Sequence, residues 1–144
     1  MVHISKIRAR YEESDQMGFI YHSNHIVWME LARMNMFREF GIDLRDMETK
    51  GIFLPVVKVI VKYHSPAYFD DEIVVHSAIS EIKDYELRID YMIYRNVKEL
   101  ICYSFTELCF IQKEPRKLIR IPDQVLKNLK ISESAKKWIT RRLG

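Results

Sequence analysis

The sequence predicts an α+β fold: a curved antiparallel sheet wrapped round one long central helix, with a further helix at the C-terminus. Three observations predict it. Residues 24–40 are apolar round most of a helical circumference, as in a buried helix. From Phe53 to Gln112 the hydrophobic period changes to two, in four successive runs. Tight turns join several of those runs, which argues for antiparallel pairing. One sheet cannot cover both sides of such a helix, so its other face, or the sheet edge, is expected to meet a second subunit.

Val2 to Tyr11 has broken alternation and many charges, and reads as an outer strand. Glu12 to Ser23 is a carboxylate-rich loop with one glycine, Gly18. The helix follows, with Ser23 or Asn24 placed to cap it and Gly41 at the position that ends it. Ile42 to Gly51 is a short charged connection with room for one helical turn. Phe53 to Tyr63 is a strand with its odd positions apolar, ended by His64-Ser65-Pro66. A second strand spans Glu72 to Ile82, and a turn at Lys83-Asp84 follows. Tyr85 to Ile93 then alternates with Glu86, Arg88 and Asp90. After a turn near Asn96, Glu99 to Gln112 is the last long strand. Lys113 to Arg120 is a basic loop, and Pro122 opens a polar helix to Arg142, broken near Ser132.

Length and composition bound the function. The 144 residues read as a single domain over 1–144 with room for a core. Lys and Arg (23) and Asp and Glu (20) are interspersed, for a net charge of +3, which argues against a nucleic-acid partner. No apolar run approaches the roughly 20 residues that span a bilayer. The opening MVHISKIRAR lacks the apolar core of a signal peptide, so a cytoplasmic location is expected. Cys102 and Cys109 fall in one strand, seven apart on opposite faces, and read as reduced thiols. The five histidines have no paired spacing that would suggest a metal site, and no cofactor is implied.

The chemistry concentrates between Tyr11 and Phe40, where an acid, a glycine, a histidine and a helix start follow one another. A helix N-terminus offers free N–H groups that polarise a carbonyl or hold an anion. A carboxylate beside it can serve as base or nucleophile.

Arg10-Tyr11, Asp15-Gln16-Met17-Gly18, Tyr21-His22-Ser23-Asn24 and Glu30-Leu31-Ala32-Arg33 resemble the signature of the 4-hydroxybenzoyl-CoA thioesterase family of hotdog-fold acyl-CoA thioesterases. Tyr63 to Ala67 and Phe69-Asp70-Asp71 resemble its second landmark, and the strand order agrees over nearly the whole chain. The nearest likeness is to the bacterial subgroup associated with the Tol-Pal envelope system, although nothing in the sequence establishes an envelope or membrane-surface association. The resemblance implies the hotdog fold, hydrolysis of an acyl-CoA thioester, and a site shared between subunits of a homodimer or homotetramer.

It also implies roles. Asp15 takes the place of the family's acid, as general base or as nucleophile. The backbone N–H at His22 is the oxyanion donor, strengthened by the helix dipole. The His22 imidazole either orients water, protonates the departing thiolate, or only packs. Gly18 allows close backbone approach or positive φ. Tyr21 lines the acyl pocket or packs at an interface. His25 stands where the family often has Tyr and bears on acyl preference. Asn24 reads as a cap, Glu30 and Arg33 as a structural pair, and Glu12 and Glu13 as solvated loop charges. Within the basic loop, Arg116 and Lys117 would meet the phosphates of CoA, or are simply solvated. His64 and Ser65 lack the elbow and the ordering carboxylate of a Ser–His hydrolase. A non-catalytic acyl-CoA or acyl-carrier-protein binding module is the alternative function. A hydratase would carry a different Asp–His signature.

Overall fold

The structure is a computed structural model that describes residues 2–132. Its main sheet has the order β1-β4-β5-β6-β3, built from β1 (His3–Arg8), β3 (Val56–Tyr63), β4 (Glu72–Ile82), β5 (Glu86–Arg95) and β6 (Glu99–Cys109). All four pairings are antiparallel. Helix α1 (Asn24–Glu39) packs on β4 and β1. Its residues Trp28, Met29, Ala32, Met36 and Phe37 join Leu87, Ile89, Tyr91 and Ile93 of β5 in one core. Each of the larger side chains so buried contributes roughly 2 kcal/mol by removal from water. At the end of α1, Gly41 has φ +77° and Ile42 N–H reaches back 2.9 Å to the Phe37 carbonyl, a closure that favours glycine.

The expected elements are present with shifted limits. Strand β1 stops at Arg8, and Tyr11–Glu13 forms a 3-10 turn. The charged connection holds helix α2 (Leu44–Thr49), capped by the Asp43 carboxylate. Proline has no N–H for a ladder, so the strand expected from Phe53 divides at Pro55 into β2 (Ile52–Phe53) and β3. The last long strand likewise divides at Phe110. Its end, β7 (Ile111–Gln112), joins β2 and β8 (Lys117–Leu118) in a small separate sheet. The C-terminal helix is shorter than expected where it is described. Helix α3 covers only Asp123–Leu126, and Ile131 then lies beside Ile79 as a parallel bridge. The rest of the predicted helix, up to Arg142, lies outside the described residues. No helix among the described residues is long and apolar enough to cross a membrane.

Strand β3 keeps its apolar odd positions without burying them: Val57 is 56% exposed and Val59 37% in the single chain. The reason is topological: β3 is the sheet edge, paired only with β6. Along α1, Ile26, Val27 and Leu31 are also exposed. A helix apolar almost all round is thus covered on one side only.

Cys102 and Cys109 are both free thiols. Burial pushes the Cys102 thiol up from 9.0 to about 12, and burial likewise raises Tyr91 and Tyr103. A raised acid is neutral in the folded state where the unfolded chain would ionise. Stability is therefore full below about pH 9 and is lost as pH rises from there toward the folded value, by up to ~1.4 kcal/mol per unit for each such group. Urea titrations at pH 8 and pH 10 are expected to register this loss, and Cys102→Ala is expected to make its onset shallower.

Candidate active site

The loop before α1 is held by a buried carboxylate. Glu13 accepts hydrogen bonds from the Arg10 N–H at 2.7 Å and from the buried Trp28 indole at 3.0 Å. Glu13 is only 5% exposed, so it is a post between loop and helix and not the solvated charge expected of it; Glu12 alone stays in solvent, against Arg10. The Glu13 carbonyl also takes the Tyr21 N–H and the Asn24 side-chain amide. Asn24 is the first helical residue rather than a side-chain cap, and Ser23, at the N-cap position, makes no capping bond.

Between these anchors the chain makes a tight turn. Asp15 Oδ1 accepts the Met17 N–H at 2.8 Å, and its carbonyl accepts the Gly18 N–H at 3.1 Å. Gly18 has φ +88°, a left-handed conformation that would strain a residue with a side chain. The turn and the cleft share one carboxylate: Oδ1 is engaged, while Oδ2 has no partner among the described residues.

Asp15 lines an open cleft of about 370 Å³. Met17, Phe19 and Ile20 line it from the loop, His22 and His25 from the helix start, and residues 63–66 from the end of β3. A hollow of about 500 Å³ at the opposite end of α1, lined by Met34, Arg38 and residues 41–45, holds none of the candidate catalytic or substrate-binding residues.

The structure therefore brings Asp15, His22 and His25 together. Gly18 shapes the turn between two lining residues, and Tyr21 stands at 48% exposure with its ring 4.3 Å from that of His22, outside the cleft wall. Arg116 and Lys117 are exposed on the β7–β8 hairpin. Strand β6 separates them from the cleft: Cys102 lies opposite Tyr63 at one end, and the hairpin follows Cys109 at the other. The separation is roughly 25 Å along the strands.

The helix start supplies the electrostatics. Neither His22 nor Ser23 gives its backbone N–H to another group among the described residues, so both remain available. His25 is buried; its Nδ1–H donates to the His22 carbonyl at 3.0 Å, which fixes the tautomer, and desolvation lowers its pKa and keeps the ring neutral. Tyr63, which the sequence offered only as part of a landmark, donates its hydroxyl to the same carbonyl at 2.5 Å. Ser65 gives its hydroxyl to the Leu100 carbonyl and makes no bond with His64. Glu30 and Arg33 form no ion pair; Arg33 is buried, with its guanidinium 3.5 Å from the Tyr91 hydroxyl. Among the described residues, no group of three or more His, Cys, Asp or Glu converges as a metal site.

Residues 9–129 match the thioesterase-like superfamily, and the chain belongs to it, with the hotdog fold of its structural neighbours. Among relatives, a Bacillus subtilis protein provisionally described as the acyl-CoA thioesterase YneP is 36% identical over 121 residues, 83% of this chain and 88% of that one. The crystal structure of a DHNA-CoA thioesterase from Staphylococcus aureus superposes with a TM-score of 0.84 at 27% identity, over 99% of this chain and 95% of that one. A 4-hydroxybenzoyl-CoA thioesterase superposes with a TM-score of 0.82 over 90% of this chain and 99% of that one; at 17% identity it speaks for the fold alone.

Proposed function

We propose that this protein hydrolyses acyl-CoA thioesters to a free acid and CoA. The observation that carries this is the cleft lined by both Asp15, a half-engaged carboxylate, and His22, at a helix start where the N–H groups of His22 and Ser23 are unused. The thioester carbonyl would lie against the N–H of His22, where the helix dipole favours the charge that develops on oxygen. Asp15 Oδ2 either takes a proton from attacking water or attacks the carbonyl carbon itself. In both cases the C–S bond breaks and the thiolate of CoA leaves and gains a proton. Attack by water gives the acid directly, whereas attack by Asp15 leaves a mixed anhydride that water then hydrolyses to the acid and free Asp15. His22, on the cleft wall, is placed to give that proton. His25 and the loop residues Met17 and Phe19 offer a mostly apolar wall to the acyl group. The names of the relatives support the same chemistry, and the two free thiols suit a cytoplasmic setting.

The working unit is a homodimer. Strand β3 presents a long apolar edge, which chains usually cover. Two β3 edges paired about a two-fold axis run antiparallel, so the Val56 end of one lies beside the Tyr63 end of the other. That pairing carries Arg116 and Lys117 of the second copy toward the cleft, where the phosphates of CoA would emerge.

The test is thiol release from a panel of acyl-CoAs, short aliphatic to long aliphatic and benzoyl-type. Turnover of any of them supports the activity and gives the acyl preference. Binding without turnover of any thioester overturns it in favour of a binding module. In the double variant Arg116→Ala, Lys117→Ala, the KM for acyl-CoA is expected to rise about tenfold. The KM for the matching acyl-pantetheine, which lacks the phosphates, is expected to stay unchanged.

A further inference from the structure

We infer that Tyr63 is a positioning residue: its hydroxyl holds the helix-start peptides in the orientation that polarises the thioester carbonyl. The inference rests on the proposed hydrolysis and adds to it a residue that never contacts the reacting atoms through its hydroxyl.

The starting point is the residue before the cap of α1. His22 precedes the N-cap Ser23, so its carbonyl lies outside the helical ladder and must find other donors. The Ile26 N–H donates to the Ser23 carbonyl at 3.2 Å and does not serve the His22 carbonyl. Two side chains take it: Tyr63 through its hydroxyl at 2.5 Å and His25 through Nδ1–H at 3.0 Å. The preceding carbonyl, of Tyr21, is also held twice, by the Asn24 N–H at 3.0 Å and the Asn24 side-chain amide at 3.3 Å. Two consecutive peptides, 21–22 and 22–23, thus have their oxygen ends fixed by paired donors. Their N–H ends, on His22 and Ser23, are the two left without an internal acceptor.

An amide whose oxygen accepts hydrogen bonds becomes a better donor at nitrogen, because polarisation passes along the chain of bonds. A fixed peptide plane also spares the site reorganisation when charge develops on the substrate oxygen. Both effects act on the transition state more than on the bound substrate. Tyr63 comes from β3, not from the loop or the helix, so it ties the helix start to the sheet. Its ring stands edge-on to His25 at 5.0 Å, which keeps the two donors side by side. Desolvation raises the Tyr63 pKa, consistent with a phenol that remains a donor.

The experiment is Tyr63→Phe, which keeps the ring on the cleft wall and removes only the hydroxyl. The expected result is a fall in kcat of about tenfold with KM nearly unchanged. The melting temperature should stay close to that of the wild type, as befits a half-exposed side chain at a sheet edge. Two further readouts separate positioning from direct contact. In the free protein, the amide proton resonances of His22 and Ser23 are expected to move upfield in Tyr63→Phe. With an isotope-labelled thioester bound to Asp15→Asn, adding Tyr63→Phe is expected to return the carbonyl stretch toward its solution frequency. An unchanged kcat, or a change confined to KM, overturns the inference, as do unmoved amide resonances. If the wild type turns over no thioester, the proposed hydrolysis fails, and the amide resonances still decide whether Tyr63 sets the helix start.

Discussion

Asp15→Asn is expected to lower kcat about 10³-fold while leaving the fold and its stability almost unchanged. The separation of the two effects follows from how the carboxylate is used. Oδ1 accepts the Met17 N–H in the turn, and an asparagine carbonyl oxygen can accept the same bond. The backbone bonds that close the turn, from Gly18 to the Asp15 carbonyl and from the Asp15 N–H to the Phe19 carbonyl, do not involve the side chain. What asparagine cannot replace is the charge on Oδ2, which is neither base nor nucleophile as an amide. Substrate binding should survive, because the apolar cleft and the helix-start donors are untouched. Thiol release under saturating acyl-CoA, together with thermal melts of both proteins, checks this. A variant that folds like the wild type and turns over at the same rate would remove Asp15 from the chemistry.

An aspartate in such a loop suits a turn as well as a reactive acid. The structure shows the turn, with Oδ1 accepting the Met17 N–H in a residue that lines the cleft, and the proposed hydrolysis would use the other oxygen of the same carboxylate. Much else was legible because it depended on local pattern. The limits of α1 follow from a run of apolar residues ended by glycine, and β4, β5 and β6 follow from period-two alternation and short turns. Asp15, Gly18, His22 and His25 were legible because they lie within eleven positions of one another.

What was not legible depended on tertiary placement. Strand β3 has the same alternation as an interior strand, and only the order β1-β4-β5-β6-β3 reveals it as an edge. Tyr63 meets His22 across forty-one positions, a contact that no spacing rule announces. Arg116 and Lys117 have the charge to meet phosphates but lie at the far end of β6, so their role depends on how two chains pair. Glu13 was misread because a carboxylate beside two other acidic groups in a polar loop is usually solvated. The signal for its burial lay elsewhere in the sequence: Trp28, one turn into an apolar helix, brings a buried N–H that needs an acceptor.

Glu13→Ala is accordingly expected to carry the largest stability cost of any substitution in the loop, about 2–4 kcal/mol. Alanine removes the acceptor for the Trp28 indole N–H, in a residue only 1% exposed, and the acceptor for the Arg10 N–H. It also deprives the Arg10 guanidinium of a carboxylate 3.9 Å away, though that contact is solvent-facing and adds little. Water cannot easily repair the loss at Trp28, because the ring is packed in the core with Met29 and Phe37. Activity should fall as well, since the Glu13 backbone carbonyl receives the Tyr21 N–H and the Asn24 amide that set the helix start. Trp28→Phe provides the control: it removes the indole donor together with the need for an acceptor. Placed on Glu13→Ala, it should cost less than it does on the wild type. Urea titrations of the two single variants and the double variant close this cycle. Additive costs would show that Glu13 and Trp28 stabilise the fold independently and that the carboxylate is not the post between loop and helix.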